Sequence, residues 1–306
     1  MTFTLFADSR LSLARDALAG LSVGDALGSQ FFVPGRHPGE LAAGHLPPPP
    51  WQWTDDTEMA CSVVAELAEI GRIDPDRLAR VFAERCEPYR GYGPGAVTVL
   101  RLIRTGTPWP VAAAAAFDGQ GSWGNGAAMR VGPLGAYFAD STSRAAAQAR
   151  VSAEVTHAHP EGIAGAVAVA VAAALAARAR LDGDRPTPAR LLAAVAAALD
   201  PTTRVHHGVR RAVPLLGRPV AEAAAVLGNG ARVTAPDTVP FTCWVAATFL
   251  DDYPAAIRSC VEAGGDVDTT AAIVGAVVAG YTGVGTPGGV PTEWVAHREA
   301  LPAWVA

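Results

Sequence analysis

The feature that most constrains this chain is its helix punctuation. Long runs rich in Ala, Leu and Arg are opened repeatedly by an acidic or hydroxyl residue with a proline close behind. Asp74-Pro75, Thr187-Pro188 and Asp251-Asp252-Tyr253-Pro254 each put a proline near the first turn, where its missing N–H costs nothing and its fixed φ suits a helix. Helices are expected over residues 12–20, 58–70, 76–85, 95–104, 143–152, 162–180, 188–199, 220–227, 239–249, 254–263 and 269–281. The period-two alternation of a half-buried strand is scarce. Val and Ile are common, but they sit in helical context such as AGAVAVAVAAALAARAR at 164–180. No long flexible linker divides the chain and no fixed-period repeat runs through it, so one all-α domain spanning 1–306, with functional loops, is the economical expectation.

Composition narrows the class. Half of the 306 residues are hydrophobic and 17% are charged, which suits a large buried core and disfavours disorder. The formal net charge of −5 argues against a non-specific nucleic-acid binder, which carries a basic footprint. Cys61, Cys86, Cys243 and Cys260 form no CxxC pair and read as buried free thiols of a reducing compartment. The N-terminal residues lack the profile of a signal peptide. The apolar run 163–177 is short for a membrane span and rich in Ala rather than Leu. A cytoplasmic protein is expected, without membrane contact. Neither a coiled-coil pattern nor an apolar interface stripe is evident, so a monomer is expected too.

Two acidic stretches carry the chemistry. Residues 53–60 read WTDDTEMA and residues 264–270 read GGDVDTT; each sets two carboxylates and threonines at the start of an apolar helix. A single Asp or Thr there is commonly just an N-cap. Two adjacent carboxylates exceed that role, and a divalent cation between them would relieve their repulsion. Hard cations such as Mg²⁺ take oxygen ligands, threonine hydroxyls included. Capping and metal binding both remain readings of either stretch alone. Together Thr54, Asp55, Asp56, Asp266, Asp268 and Thr269 would suit two Mg²⁺ or Mn²⁺ ions about 3.5–4 Å apart. No Cys or His has the spacing of a zinc site. Gly264 and Gly265 allow close backbone approach. The stretch GQGSWGNG at 119–126 is too glycine-rich for a packed element, and its amides, freed by glycine, can face anionic oxygens. The prolines 47–50 form a stiff lead into Trp51 and the first acidic stretch.

Five pieces in order, GLSVGDALG (20–28), TDDTEM (54–59), GSWGNGAAMRVGPLG (121–135), THAHP (156–160) and GGDVDTT (264–270), resemble the ADP-ribosylglycohydrolase family. The resemblance runs through most of the chain. It implies an all-α fold, a compact orthogonal helical bundle whose loop-lined cleft holds a binuclear Mg²⁺ centre. It also implies hydrolysis of the bond between ADP-ribose and an acceptor. The matching positions imply that Thr54, Asp55, Asp56, Asp266, Asp268 and Thr269 hold metal, and that Asp55, Asp56 and Asp268 serve the chemistry. Gly121, Ser122, Trp123, Gly124, Asn125 and Gly126 match the loop around the phosphates and distal ribose, and His157 a histidine beside the diphosphate. Asp25 and its glycines read as mainly structural, a buried carboxylate capping or binding backbone. Arg130 also reads as structural, and His206-His207 as a solvated turn.

One departure stands out. Relatives commonly carry a Glu four residues past the last glycine of GDALG, where this chain has Phe32. Phe31-Phe32 are expected to reshape the acceptor side of the cleft and to alter linkage preference. The rival reading is an ADP-ribose-binding protein with weak or no hydrolase activity. ADP-ribose and ADP-ribosylated substrates are the expected partners. Arginine, serine, nucleic acid and O-acetyl-ADP-ribose are all candidate linkages.

Overall fold

The computed structural model describes residues 4–305; residues 1–3 and 306 of the expected domain span lie outside them. Sixteen α-helices follow one another: α1 (Ala7–Ser29), α2 (Pro38–Ala42), α3 (Asp55–Ile70), α4 (Pro75–Arg85), α5 (Pro94–Arg104), α6 (Trp109–Gly119), α7 (Gly132–Tyr137), α8 (Thr142–Glu154), α9 (Pro160–Asp182), α10 (Pro188–Ala197), α11 (Arg204–Ala212), α12 (Val220–Leu227), α13 (Ala235–Thr248), α14 (Tyr253–Ala263), α15 (Val267–Thr282) and α16 (Thr292–His297). Among the described residues there are isolated β-bridges but no strands, so the fold is all-α. The helix starts marked by proline and hydroxyl residues behave as their chemistry demands. Asp74 accepts the amides of Asp76 and Arg77, Thr187 that of Arg190 and Asp252 that of Ala255.

The centre is built by α1, α9 and α15. One hydrophobic cluster extends from Ala14 of α1 to Trp294 of α16. Helix α9 is longer than its apolar run suggested and by length and composition would reach across a bilayer, yet 89% of its most apolar window is buried inside the protein. Its alanines therefore serve close helix packing. Helix α1 extends past both expected ends, through GLSVGDALG. Its glycines at 20, 24 and 28 line one face at helical spacing, against α15. A Cβ would stand 2.3 Å from Gly275 O at Gly20, 2.2 Å from Ala271 O at Gly24 and 2.8 Å from Asp268 Cα at Gly28. Interior glycine weakens a helix by roughly 0.5–1 kcal/mol each. Here it lets two helix backbones touch, and it is this contact that carries Asp25 up to Asp268.

Several expectations are corrected. His206-His207 lie in α11, not in a turn; His206 Nδ1 is 3.1 Å from Ala196 O. RVHHGVRRA has poor helix propensity and an internal glycine, so its helix is made by tertiary partners. Thr203 caps it by accepting the His206 amide, and the Glu161 carboxylate accepts the amides of Arg204 and Val205. Helices α6 and α7 were also absent from the sequence pattern. The glycine-rich stretch is packed: Asn125 is 3% exposed, and a Cβ at Gly162 of α9 would meet Ser122 O at 2.8 Å. The proline lead is pinned at Trp51, whose N–H donates to His297 O and whose O accepts from Glu299 N, both at 2.8 Å.

Candidate active site

Asp55 and Asp56 open α3, the position of a capping residue or its neighbours. The amides of the N-cap Thr54 and of Thr57 in the first turn, however, are satisfied from another element. Asp25 of α1 accepts the N–H groups of Thr54 at 2.9 Å and Thr57 at 3.2 Å, together with both threonine hydroxyls. Thr54 itself makes no side-chain cap. Asp25 thus does the capping, and the two adjacent carboxylates are released from it. Asp56 Oδ2 is held by Thr54 Oγ1 at 3.1 Å and Thr269 Oγ1 at 3.4 Å, whereas Oδ1 is buried with no partner among the described residues.

The second acidic stretch arrives with α15. A Cβ at Gly265 would fall 2.4 Å from Asn229 O, so only glycine lets the 229–230 loop lie against this turn. Asp266 N donates to Asn229 O at 3.2 Å, and the Asp266 carboxylate accepts Asn125 Nδ2 at 2.7 Å. Asp268 Oδ1 accepts the Thr269 amide at 2.8 Å. Ligand atoms of Asp25, Asp56 and Asp268 all lie within 4.8 Å of one another. The oxygens of Asp25 are occupied by the threonine donors, which makes it the organiser of the cluster; Asp56 Oδ1 is the buried oxygen of the three left without a partner among the described residues.

Electrostatics agree with geometry. Burial holds the Asp25 carboxyl up at about 6, against the lowering pull of its hydrogen bonds. Burial, with the charge of Asp25 next, pushes Asp55 up to about 8. Asp56 and Asp268 are also held well above the usual carboxylate range, first by burial and then by Asp25 for Asp56 and by Asp266 for Asp268. Such a cluster holds protons unless a cation replaces them. An orphaned buried oxygen, crowded carboxylates and threonine hydroxyls form an all-oxygen donor set of the kind hard divalent cations prefer. The cluster is therefore able to hold metal.

Above it lies a cavity of about 580 Å³, within the size range of small-molecule sites. Its wall includes Asp55, Asp56, Asp266, Asp268 and Thr269 together with Ser122, Trp123, Gly124, Asn125, Gly126 and His157. Of the remaining expected site residues, Thr54 hydrogen-bonds beneath the floor. Gly121, at φ 75°, packs against Ala158 and His159 and lies outside the wall. Two of the loop amides are already used: Gly124 N–H donates to Ser122 Oγ and Asn125 N–H to Val233 O. Phe32 is 54% exposed beyond the end of α1 and is not part of the wall. Glu58 points elsewhere, its carboxylate accepting Tyr92 Oη at 2.6 Å and the Glu87 amide.

His157 is buried beneath the loop. Thr156 Oγ1 accepts Arg130 Nη1 at 3.0 Å and lies 2.7 Å from His157 Nδ1. The hydroxyl can accept from Arg130 and still give its own proton to Nδ1, an arrangement that would leave the ring proton on Nε2. Nε2 lies against Gly124 and Gly126, 3.3 Å from where a Cβ would sit at either. Burial, and then Arg130, press the His157 pKa down to about 3, so the ring is neutral. Arg130 is fully buried, also donates to Gly126 O and Ser152 O, and holds this layer together.

Some wall residues carried no sequence signal: Gly91, Gly93, Pro94, Gly95, Ala96, Phe117 and the segment Arg232-Val233-Thr234. Phe117, Asp118 and Val233 are the non-glycine residues with positive φ among those described, and Phe117 and Val233 both face the cavity. Strained backbone of this kind gathers at functional sites.

Comparison with known proteins agrees with this geometry. The family model for ADP-ribosylglycohydrolase matches residues 7–305. The chain is 30% identical to ADP-ribosylhydrolase ARH3 of Gallus gallus, over 94% of this chain and 89% of that protein. It is 29% identical to ADP-ribosylhydrolase ARH3 of Homo sapiens, over 93% of this chain and 88% of the relative. A solved structure described as an ADP-ribosylglycohydrolase-related protein complex superposes with a TM-score of 0.64 at 27% identity, covering 95% of this chain and 94% of the other. With the family match running from α1 to the C-terminal turn, the chain belongs to the ADP-ribosylglycohydrolase family, a family of hydrolases.

Proposed function

We propose that this chain hydrolyses the bond between the anomeric carbon of ADP-ribose and an acceptor, using two Mg²⁺ or Mn²⁺ ions at the cavity floor. The observation that carries the reading is the capping of α3 by Asp25. It frees Asp55 and Asp56 from a structural duty and sets them beside Asp266 and Asp268 in a cavity of suitable size. Thr54, Asp55, Asp56, Asp266, Asp268 and Thr269 are the residues that would hold the ions. When bound, a divalent pair supplies positive charge that neutralises the carboxylates and lowers the pKa of a nearby water toward neutrality.

The chain's own residues supply the rest. Thr54 and Thr269 fix one oxygen of Asp56, which leaves the other buried without a partner among the described residues and able to take a cation. Asn125 orients Asp266 through one amide proton while the other binds Thr238. Neutral His157 offers an N–H to a phosphate oxygen without repelling any cation. Trp123 and Phe117 are apolar walls that exclude water from the sugar and base. Departure of the acceptor builds oxocarbenium character at the anomeric carbon, and the floor carboxylates stabilise it or accept the proton of the attacking water. Phe32 adds no bulk to the cavity, so the rival reading, an ADP-ribose binder with weak or no hydrolase activity, rests on the absence of the usual Glu at that position alone.

The test is release of free ADP-ribose from arginine-, serine- and nucleic-acid-linked ADP-ribose and from O-acetyl-ADP-ribose, each with Mg²⁺, with EDTA and with Asp55→Ala. Metal-dependent release from at least one linkage, absent in the variant, is expected. Binding of ADP-ribose with no release from any of them would replace the hydrolase with a reader.

A further inference from the structure

A second depression of about 530 Å³ shares Trp123, Arg232 and Thr234 with the cavity just described. Its other wall is α11, which presents Arg204, His207, Gly208 and Arg211 to it. These positions fall at i, i+3, i+4 and i+7, one helical face. A Cβ at Gly208 would lie 2.4 Å from Pro240, so this glycine is what seats the basic face close against α13. Arg204 also stands over the Trp123 ring, 5.3 Å from its centroid.

The charge here is unbalanced. Three arginines line the depression and Asp237 is its one carboxylate. Asp237 is already engaged, accepting the Arg232 amide at 3.0 Å with the Arg232 guanidinium 4.0 Å away. Among the described residues neither Arg204 nor Arg211 is paired with an acid. Like charges one turn or two apart on a helix destabilise it unless a counter-charge arrives. In a chain of net charge −5 this concentration is local, not compositional. Guanidinium groups recognise phosphate through two parallel N–H donors. Trp123 is the partition between this basic depression and the cavity.

Resting on the reading of the cavity as an ADP-ribose site, we propose that the α11 depression is a second anion subsite. It takes a phosphate of the substrate that lies outside the ADP-ribose unit seated in the cavity. Two sources carry that chemistry: a further ADP-ribose unit, or a nucleotide phosphate on the acceptor.

The discriminating variant is Arg211→Glu, with Arg211→Lys as its conservative partner; Arg211 is exposed and lies outside the catalytic cavity. KM and kcat are measured on a single ADP-ribosyl group on a peptide, on two joined ADP-ribose units, and on an ADP-ribosylated nucleotide. Arg211→Glu is expected to raise KM about tenfold on whichever extended substrate uses the subsite. Its kcat there and both constants on the peptide should stay unchanged, and Arg211→Lys should recover part of the loss. Equal KM values for Arg211→Glu and wild type on both extended substrates would overturn the proposal. A second readout does not depend on hydrolysis. Inorganic sulfate is titrated against tryptophan fluorescence with ADP-ribose and Mg²⁺ saturating. A saturable change in the wild type that disappears in Arg211→Glu supports the subsite even if no substrate is cleaved. The absence of such a change, or its persistence in the variant, refutes it.

Discussion

The acidic starts of α3 and α15 look alike in sequence and are built differently. At α3 the first-turn amides are handed to Asp25, a residue from another helix, and both local carboxylates are spared. The start of α15 partly serves itself: Asp268 accepts the Thr269 amide, while Asp266 is steadied by Asn125. A carboxylate pair becomes a cation site when something else does its capping. The carboxylates at the start of α3 are therefore less committed to the helix than those at the start of α15.

Replacing these carboxylates should have the largest effect and should separate the two helix starts. Asp56→Ala and Asp268→Ala are each expected to lower turnover by about 10³-fold. Asp268→Ala should also reduce stability by about 1 kcal/mol through loss of its amide contact. Asp56→Ala should cost less in metal-free stability, because among the described residues no backbone amide depends on its carboxyl and one of its buried oxygens has no partner. Turnover assays beside thermal melts give both numbers; equal stability losses from Asp56→Ala and Asp268→Ala would erase the distinction.

Next in size is Asp25→Ala. It leaves the Thr54 and Thr57 amides without their acceptor and is expected to reduce stability by about 2–3 kcal/mol. Urea midpoints measure this, and a loss no greater than that of Asp268→Ala would show that α3 finds its cap elsewhere. Asn125→Ala, the corresponding change behind α15, should lower turnover about 10–100-fold by letting Asp266 swing. Its melting temperature should fall only slightly, since the α15 amides do not depend on it.

The last expected effect is a pH dependence. The Asp25 and Asp55 carboxyls titrate at about 6 and about 8 in the folded protein, above their ordinary value of 3.8. Between the ordinary and the raised values the folded state binds more protons than the unfolded chain, so stability falls as pH rises through that window. Metal-free protein should melt higher at pH 5 than at pH 8.5. Mg²⁺ should restore the loss at the alkaline end, and Asp56→Asn should flatten the profile. A metal-free melting temperature that climbs toward pH 8.5 would contradict the charge crowding at the floor.

Much of this was legible in the order of residues. Helix starts marked by Asp-Pro and Thr-Pro are local chemistry, and they opened helices where expected. The stretches at 53–60 and 264–270 stood out because two carboxylates exceed the needs of one cap, and the family resemblance gave them their implied roles. Other features were not local. Helix α11 has no strong propensity and exists because Thr203 and Glu161 satisfy its amides. Phe117 and Val233 reach the cavity through strained backbone that no residue type announces.

By itself, then, the sequence determined the all-α class and most helix starts, and it singled out the carboxylates and the glycine loop proposed to carry the chemistry. Each of these depends on residues adjacent in the chain. Only the tertiary structure decided that Asp25 is the cap of α3, that Phe32 stands off the cavity wall, and that α11 turns a basic face toward Trp123. Those outcomes depend on how closely helix backbones approach. At Gly24 and Gly28 that approach is closer than any side chain would allow, and it brings residues far apart in sequence to one floor.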